Sequence, residues 1–229
     1  MSRASLAGLL QLSSATLPVG SFSYSQGLEN AVAAGVVRDE ATLVEWLETL
    51  LRHGVGAWDA PWVATLMGCW RHREHEQIVG LNQRFLASRE SRELWAETVQ
   101  TGRSMLALLK AMGDLPADAL TVMVQIDAAE GLAYPVAWAA AATHRAVDPK
   151  DALIGYLWAW LESSVMAALR TAPIGQNVGQ RILLQLGGRL EALATAAATC
   201  PLDECRNFLP GFTLACMQHE TQYTRLFRS

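Results

Sequence analysis

The chain has 229 residues, 51% hydrophobic and 17% charged, a balance that supplies a large core and excludes a disordered chain. A formal net charge of −4 excludes a nucleic-acid binder that works through bulk positive charge. The four cysteines, Cys69, Cys200, Cys205 and Cys216, form no CxxC pair and read as free thiols of a reducing cytoplasm.

No secretory leader is expected, because Ser2 and Arg3 precede a short mixed stretch instead of a long apolar run. Residues 17–29, LPVGSFSYSQGLE, break the helical habit of the chain. Pro18 and Gly20 forbid a continuous helix there. Ser23 and Gln26 have capping-box spacing, which predicts a helix from Ser23 to Gly35 with Phe22 as its hydrophobic staple. From Asp39, Leu43, Val44, Trp46, Leu47, Leu50 and Leu51 recur at helical spacing, with Asp39 as the cap and Gly54 as the stop. A helical stretch follows over APWVATLMGCWRHREHEQIVGLNQRFLAS, with Pro61 in its first turn, then a long helix through SRESRELWAETVQTGRSMLALLKAMG, closed by Gly113. Two more are expected in 117–130 and 134–146. The segment PKDALIGYLWAWLESSVMAALR is apolar nearly all round, as a central bundle helix is. Its apolar window contains Glu162 and two serines, so it reads as buried, not membrane-spanning. A last long helix is expected over 177–199. Period-two alternation is missing, so no sheet is expected. The fold class is all-α: one domain of about eight to ten helices over 1–222, then a tail, 223–229.

Catalytic motifs are absent from the sequence. Neither lysine, Lys110 or Lys150, follows a glycine-rich loop, which excludes a Walker-type nucleotide site. Gly54-Val55-Gly56 opens no βαβ unit, and there is no GxSxG or HExxH. His72 and His75 are three apart and can share a metal on one helix, but Arg71 and Arg73 flank them. Cys216 and His219 have the same spacing, yet two ligands do not fill a tetrahedral site. No metal site, cofactor or catalytic residue is therefore assigned. Glu162 is the best candidate for a polar core residue, and it keeps a second reading open: an all-helical ligand-binding protein or enzyme with a polar site in the bundle core.

Three polar islands remain. The opening stretch presents Pro18, Gly20, Phe22, Tyr24, Ser25 and Glu29. The second, TAPIGQNVGQRIL, has Gly175, Gln176 and Gln180 around a helix start, with Asn177 and Gln180 at capping-box spacing. The third, HETQYTRLFRS, ends on Tyr223, Arg225, Leu226, Phe227 and Arg228, the aromatic and arginine anchors typical of protein interfaces. The surplus of apolar helix surface, with eight tryptophans, also suggests a homodimer.

Taken in order, LPVGSFSYSQGLE, TGRSMLALL, YPVAWAAA, APIGQNVGQRILL and HETQYTRLFRS resemble the UreF family of urease accessory proteins over nearly the whole chain. The resemblance implies an all-helical, non-catalytic, cytoplasmic dimer. It implies binding to UreD (also called UreH) and recruitment of the GTPase UreG, so that nickel reaches the urease apoprotein. It also implies that residues 223–229 insert into UreD and that Tyr24, Ser25 and Glu29 lie near partner surfaces. A docking tail of this kind is expected to be mobile until bound.

Overall fold

A computed structural model describes residues 2–228; Met1 and Ser229, the outer ends of the expected domain and tail, lie outside the described residues. Helix α1 (Arg3–Leu12) is capped by Ser2. After a 3₁₀ turn (Ser21–Ser23), α2 is short (Leu28–Ala33). Asp39 caps α3 (Glu40–Leu50) as expected, in a box closed by Thr42. A π turn over Leu51–Val55, kinked at Gly54, leads to α4 (Asp59–His72). Then come α5 (His75–Ala87), α6 (Arg92–Met112), α7 (Ala117–Ala129), α8 (Tyr134–His144) and α9 (Pro149–Thr171). The chain closes with α10 (Gln176–Gly187), α11 (Leu190–Thr199) and α12 (Pro210–His219). There is no strand among the described residues.

The most buried element is α8, not α9. Pro135 through Ala142 are all buried, because a run of alanines lets α4 and α6 close on the helix from both sides. Bulkier α9 keeps one partly exposed flank and packs against α1, α4, α10 and α11. It is long and apolar enough to cross a membrane, but half of its most apolar window is buried inside the fold.

Gly102 explains why α6 lies so close to α8. A Cβ at this position would sit 1.9 Å from the Leu132 carbonyl oxygen, which belongs to backbone and cannot rotate away. That stretch is further pinned by buried Asn82, which donates to the Gly131 carbonyl and accepts from the Ala133 N–H. Gly102→Ala is therefore expected to cost about 3 kcal/mol, the upper end for overpacking, measured by chemical denaturation. Unchanged stability would show that α6 can move outward at no cost.

Several expectations need correction. The helix after the opening stretch does not begin at Ser23. Gln26 and Gly27 both adopt left-handed φ, and α2 starts at Leu28. The Gln26 side chain is drawn away by distant partners, so the Ser23–Gln26 box does not form, and Phe22 is left exposed instead of stapled. The expected last long helix is broken at Gly187-Gly188 into α10 and α11, since paired glycines weaken a helix. Helix α12 then follows, where none was expected. No side chain caps α10, so the Asn177–Gln180 box is also unused. His72 and His75 fall on two helices, because Arg73 turns left-handed between them.

Candidate partner-binding face

Helix α12 packs on both α2 and α6, and this placement gathers distant parts of the chain. The close approach is possible because residue 27 is glycine: its φ is 75°, and a Cβ there would lie 3.1 Å from the Cys216 backbone nitrogen. At the end of α12, His219 is 0% exposed. Its Nδ1 lies 2.7 Å from a Glu93 carboxylate oxygen and its Nε2 lies 3.1 Å from Glu29. A ring carrying hydrogen on both nitrogens donates to both carboxylates, whereas a neutral ring donates to only one. The next residue, Glu220, accepts the Arg92 N–H at 2.8 Å and caps α6. Two adjacent residues thus fix the α12 end to the start of α6.

The tail is built on this base. Glu29 accepts the N–H groups of Leu226 at 2.7 Å and Phe227 at 3.0 Å. Arg225 donates to the other Glu93 oxygen at 2.9 Å. The Arg228 N–H donates to the Ser23 carbonyl at 2.8 Å, returning the chain end to the opening stretch. The Arg228 side chain also hydrogen-bonds Tyr24, whose phenol is nonetheless pushed up by burial. Phe227 is 5% exposed, with the Arg170 guanidinium 4.8 Å from its ring centre. Burial pushes the Glu29 carboxyl up, but the two backbone N–H groups and His219 outweigh it and hold it below the usual carboxylate range.

A second network lies deeper. Gln26 donates to Glu97 at 2.8 Å and accepts the Trp160 indole N–H at 2.7 Å. These side chains, with Tyr24, Thr101, Tyr134 and Tyr156, border a cavity of about 100 Å³.

The structure therefore brings two of the three islands together. Tyr24 and Ser25 are buried beneath the tail, Glu29 holds it, and Pro18 and Phe22 lie exposed nearby in sequence. Gly20, left-handed, starts the 3₁₀ turn. In the tail, Tyr223 and Leu226 are exposed and Arg225 and Arg228 are partly tied down. Phe227 is no exposed anchor but part of the core. The expected mobile tail is instead folded against its own chain, because Glu29 and a cleft beside Arg170 satisfy it locally. In the second island Gly175, which precedes α10, and Gln176 and Gln180 on it are exposed; α10 packs on α9 and α3, and Arg170, one residue before this island, lies over the Phe227 ring.

Sequence reasoning missed Glu93 and Glu220, and it weighed His219 only as a metal ligand and Gln26 only as a helix cap. His219 carried a signal, since it follows Cys216 by one helical turn and so shares its buried face. Glu162, the candidate for a polar core site, is half-buried with its carboxyl pushed up by burial, against which an Ala15 backbone N–H acts. Among the described residues no group of three or more His, Cys, Asp or Glu side chains is arranged to hold a metal.

A family model described as UreF matches residues 37–187. The chain belongs to the UreF family of urease accessory proteins. A urease accessory protein UreF from Dechloromonas aromatica (strain RCB) is 49% identical over 224 residues, covering 98% of this chain and 97% of the relative. One from Azoarcus sp. (strain BH72) is 47% identical over 224 residues, covering 96% and 94%. A third, from Janthinobacterium sp. (strain Marseille), is 38% identical over 229 residues and covers both chains fully. The chain is thus an accessory, chaperone-type component of urease maturation and not an enzyme. This UreF-family match begins after the opening stretch and ends before the tail, so the face built by residues 17–29 and 219–228 rests on its own geometry.

Proposed function

We propose that the chain is an adaptor of nickel insertion into urease. It binds UreD/UreH through the face formed by the opening stretch and the tail, and it recruits the GTPase UreG as a cytoplasmic homodimer. The observation that supports this reading is the tail itself. Exposed Tyr223 and Leu226 flank Arg225 in the tail, exposed Phe22 precedes Ser23, whose carbonyl accepts the Arg228 N–H, and the base is fixed by Glu29, His219 and Glu93. Aromatic and arginine groups over a rigid base are what a partner with apolar pockets and carboxylates would engage. Gly175, Gln176 and Gln180, exposed at the start of α10, are offered to a second partner.

Tyr223→Ala with Leu226→Ala is expected to abolish co-purification with UreD/UreH, since truncating interface anchors costs about 2 kcal/mol or more each. Thermal unfolding should be nearly unchanged, because both side chains are exposed. Undiminished co-purification would overturn the docking role of the tail.

A further inference from the structure

The turn between α11 and α12 reads Cys-Pro-Leu-Asp-Glu-Cys, residues 200–205. It folds tightly: the Glu204 N–H donates to the Pro201 carbonyl at 3.0 Å and the Cys205 N–H to that of Leu202 at 3.3 Å. Both thiols are aimed at one acceptor, the Pro201 carbonyl oxygen, Cys205 at 3.4 Å and Cys200 at 3.7 Å. Their sulfurs are consequently 3.4 Å apart. Cys200 is partly exposed, whereas Cys205 is buried behind it. Beyond the turn, Arg206 donates to the Asp203 and Cys205 carbonyls, and Asn207 donates to the Ser88 carbonyl. The other cysteines, Cys69 in α4 and Cys216 in α12, are buried; burial pushes the Cys69 thiol up to about 11.

We propose that Cys200 and Cys205 form a reversible dithiol–disulfide couple that latches the turn leading into α12. The sulfurs need to close from 3.4 Å to about 2.05 Å, within a turn whose backbone hydrogen bonds already hold them on one side. The co-reactant is a low-molecular-weight disulfide such as oxidised glutathione. The accessible Cys200 thiolate attacks one of its sulfurs, the S–S bond breaks, and one glutathione leaves as thiolate. Burial, and then the neighbouring Cys200, push the Cys205 thiol up, so Cys205 acts second. On losing its proton it attacks the Cys200 sulfur and expels the second glutathione. Two protein thiols are oxidised to one disulfide, one glutathione disulfide is reduced to two thiols, and the two thiol protons end on glutathione.

The test uses the purified full chain equilibrated in glutathione buffers of stepped reduced-to-oxidised ratio. The samples are acid-quenched, alkylated in denaturant with N-ethylmaleimide and weighed intact. The expected result is one step in which two of the four alkylatable thiols disappear together, with a peptide map joining Cys200 to Cys205. Cys205→Ser should instead accumulate one glutathione on Cys200, and Cys200→Ser should keep all its thiols. Three results would overturn the proposal: four alkylatable thiols throughout the series, a glutathione adduct persisting on Cys200 of the unsubstituted chain, or a disulfide mapped to Cys69 or Cys216.

Discussion

Glu29→Ala should release the tail and destabilise the whole chain by about 3 kcal/mol. The carboxylate has three donors, the N–H groups of Leu226 and Phe227 and the Nε2 of His219. The two amides can turn to water once the tail lifts. The imidazole cannot, because it is wholly buried, and an unsatisfied buried donor costs about 1–3 kcal/mol. Loss of the anchored tail adds the exposure of Phe227, about 1.5–3 kcal/mol, offset in part by the chain entropy that the tail regains, about 1–2 kcal/mol per residue. Glu29→Gln should recover little. It keeps the shape but turns an amide N–H toward groups that are themselves donors. Chemical denaturation gives the stability, and hydrogen exchange at the amides of Leu226 and Phe227 reports the tail. Slow exchange retained in Glu29→Ala would show that the remaining anchors, Phe227 in the core, Arg225 on Glu93 and Arg228 on Ser23 and Tyr24, hold the tail without it.

Acid should mimic this substitution. Glu29 is held below the usual carboxylate range by the amides and His219 acting against burial. A depressed carboxyl contributes stability that is fully present above its unfolded value, about 4.3, and is lost as pH falls through its lower folded value. Protection of the Leu226 and Phe227 amides should therefore persist through neutral pH and fall only below about pH 4. Loss of protection between pH 5 and 8 would point to a different titrating group.

The regular parts of the fold were legible because they depend on local chemistry. The Asp39 cap, the Gly113 stop of α6 and the absence of strands followed from residue type and spacing. The exceptions are places where distant partners override local preference. Gln26 has the right spacing for a cap, yet Glu97 and Trp160, far along the chain, take its side chain. The alanines of α8 gave no amphipathic signal, so α9, with larger side chains, passed for the central helix. Helix α12 is apolar on every side and starts at Pro-Gly, which reads as a turn. The site was legible by half. Tyr24, Ser25, Glu29 and the tail stood out as polar or aromatic breaks in an apolar chain, but their joining by His219 and Glu93 needs the packing of α12 on α2 and α6.

The sharpest separation of folding from docking comes from two aromatic residues four apart. Phe227 is buried, with the Arg170 guanidinium over its ring. Tyr223 is fully exposed. Phe227→Ala should therefore cost about 3 kcal/mol of stability, the low end for a buried Phe, because the cleft it leaves opens at the chain end and partly refills with water. It should also weaken the proposed UreD/UreH binding, since the amides of Leu226 and Phe227 then lose their fixed position on Glu29. Tyr223→Ala should leave stability within about 0.5 kcal/mol and still weaken binding by about 2 kcal/mol if Tyr223 is an anchor. Removing residues 223–229 combines both losses, so failed co-purification of the truncated chain alone would not distinguish an absent contact from a loosened fold. Denaturation and binding must be measured on the same preparations. If Phe227→Ala unfolds at the same denaturant concentration as the unsubstituted chain, the Phe227 ring contributes nothing to folding, and the Glu29 contacts remain to hold the tail.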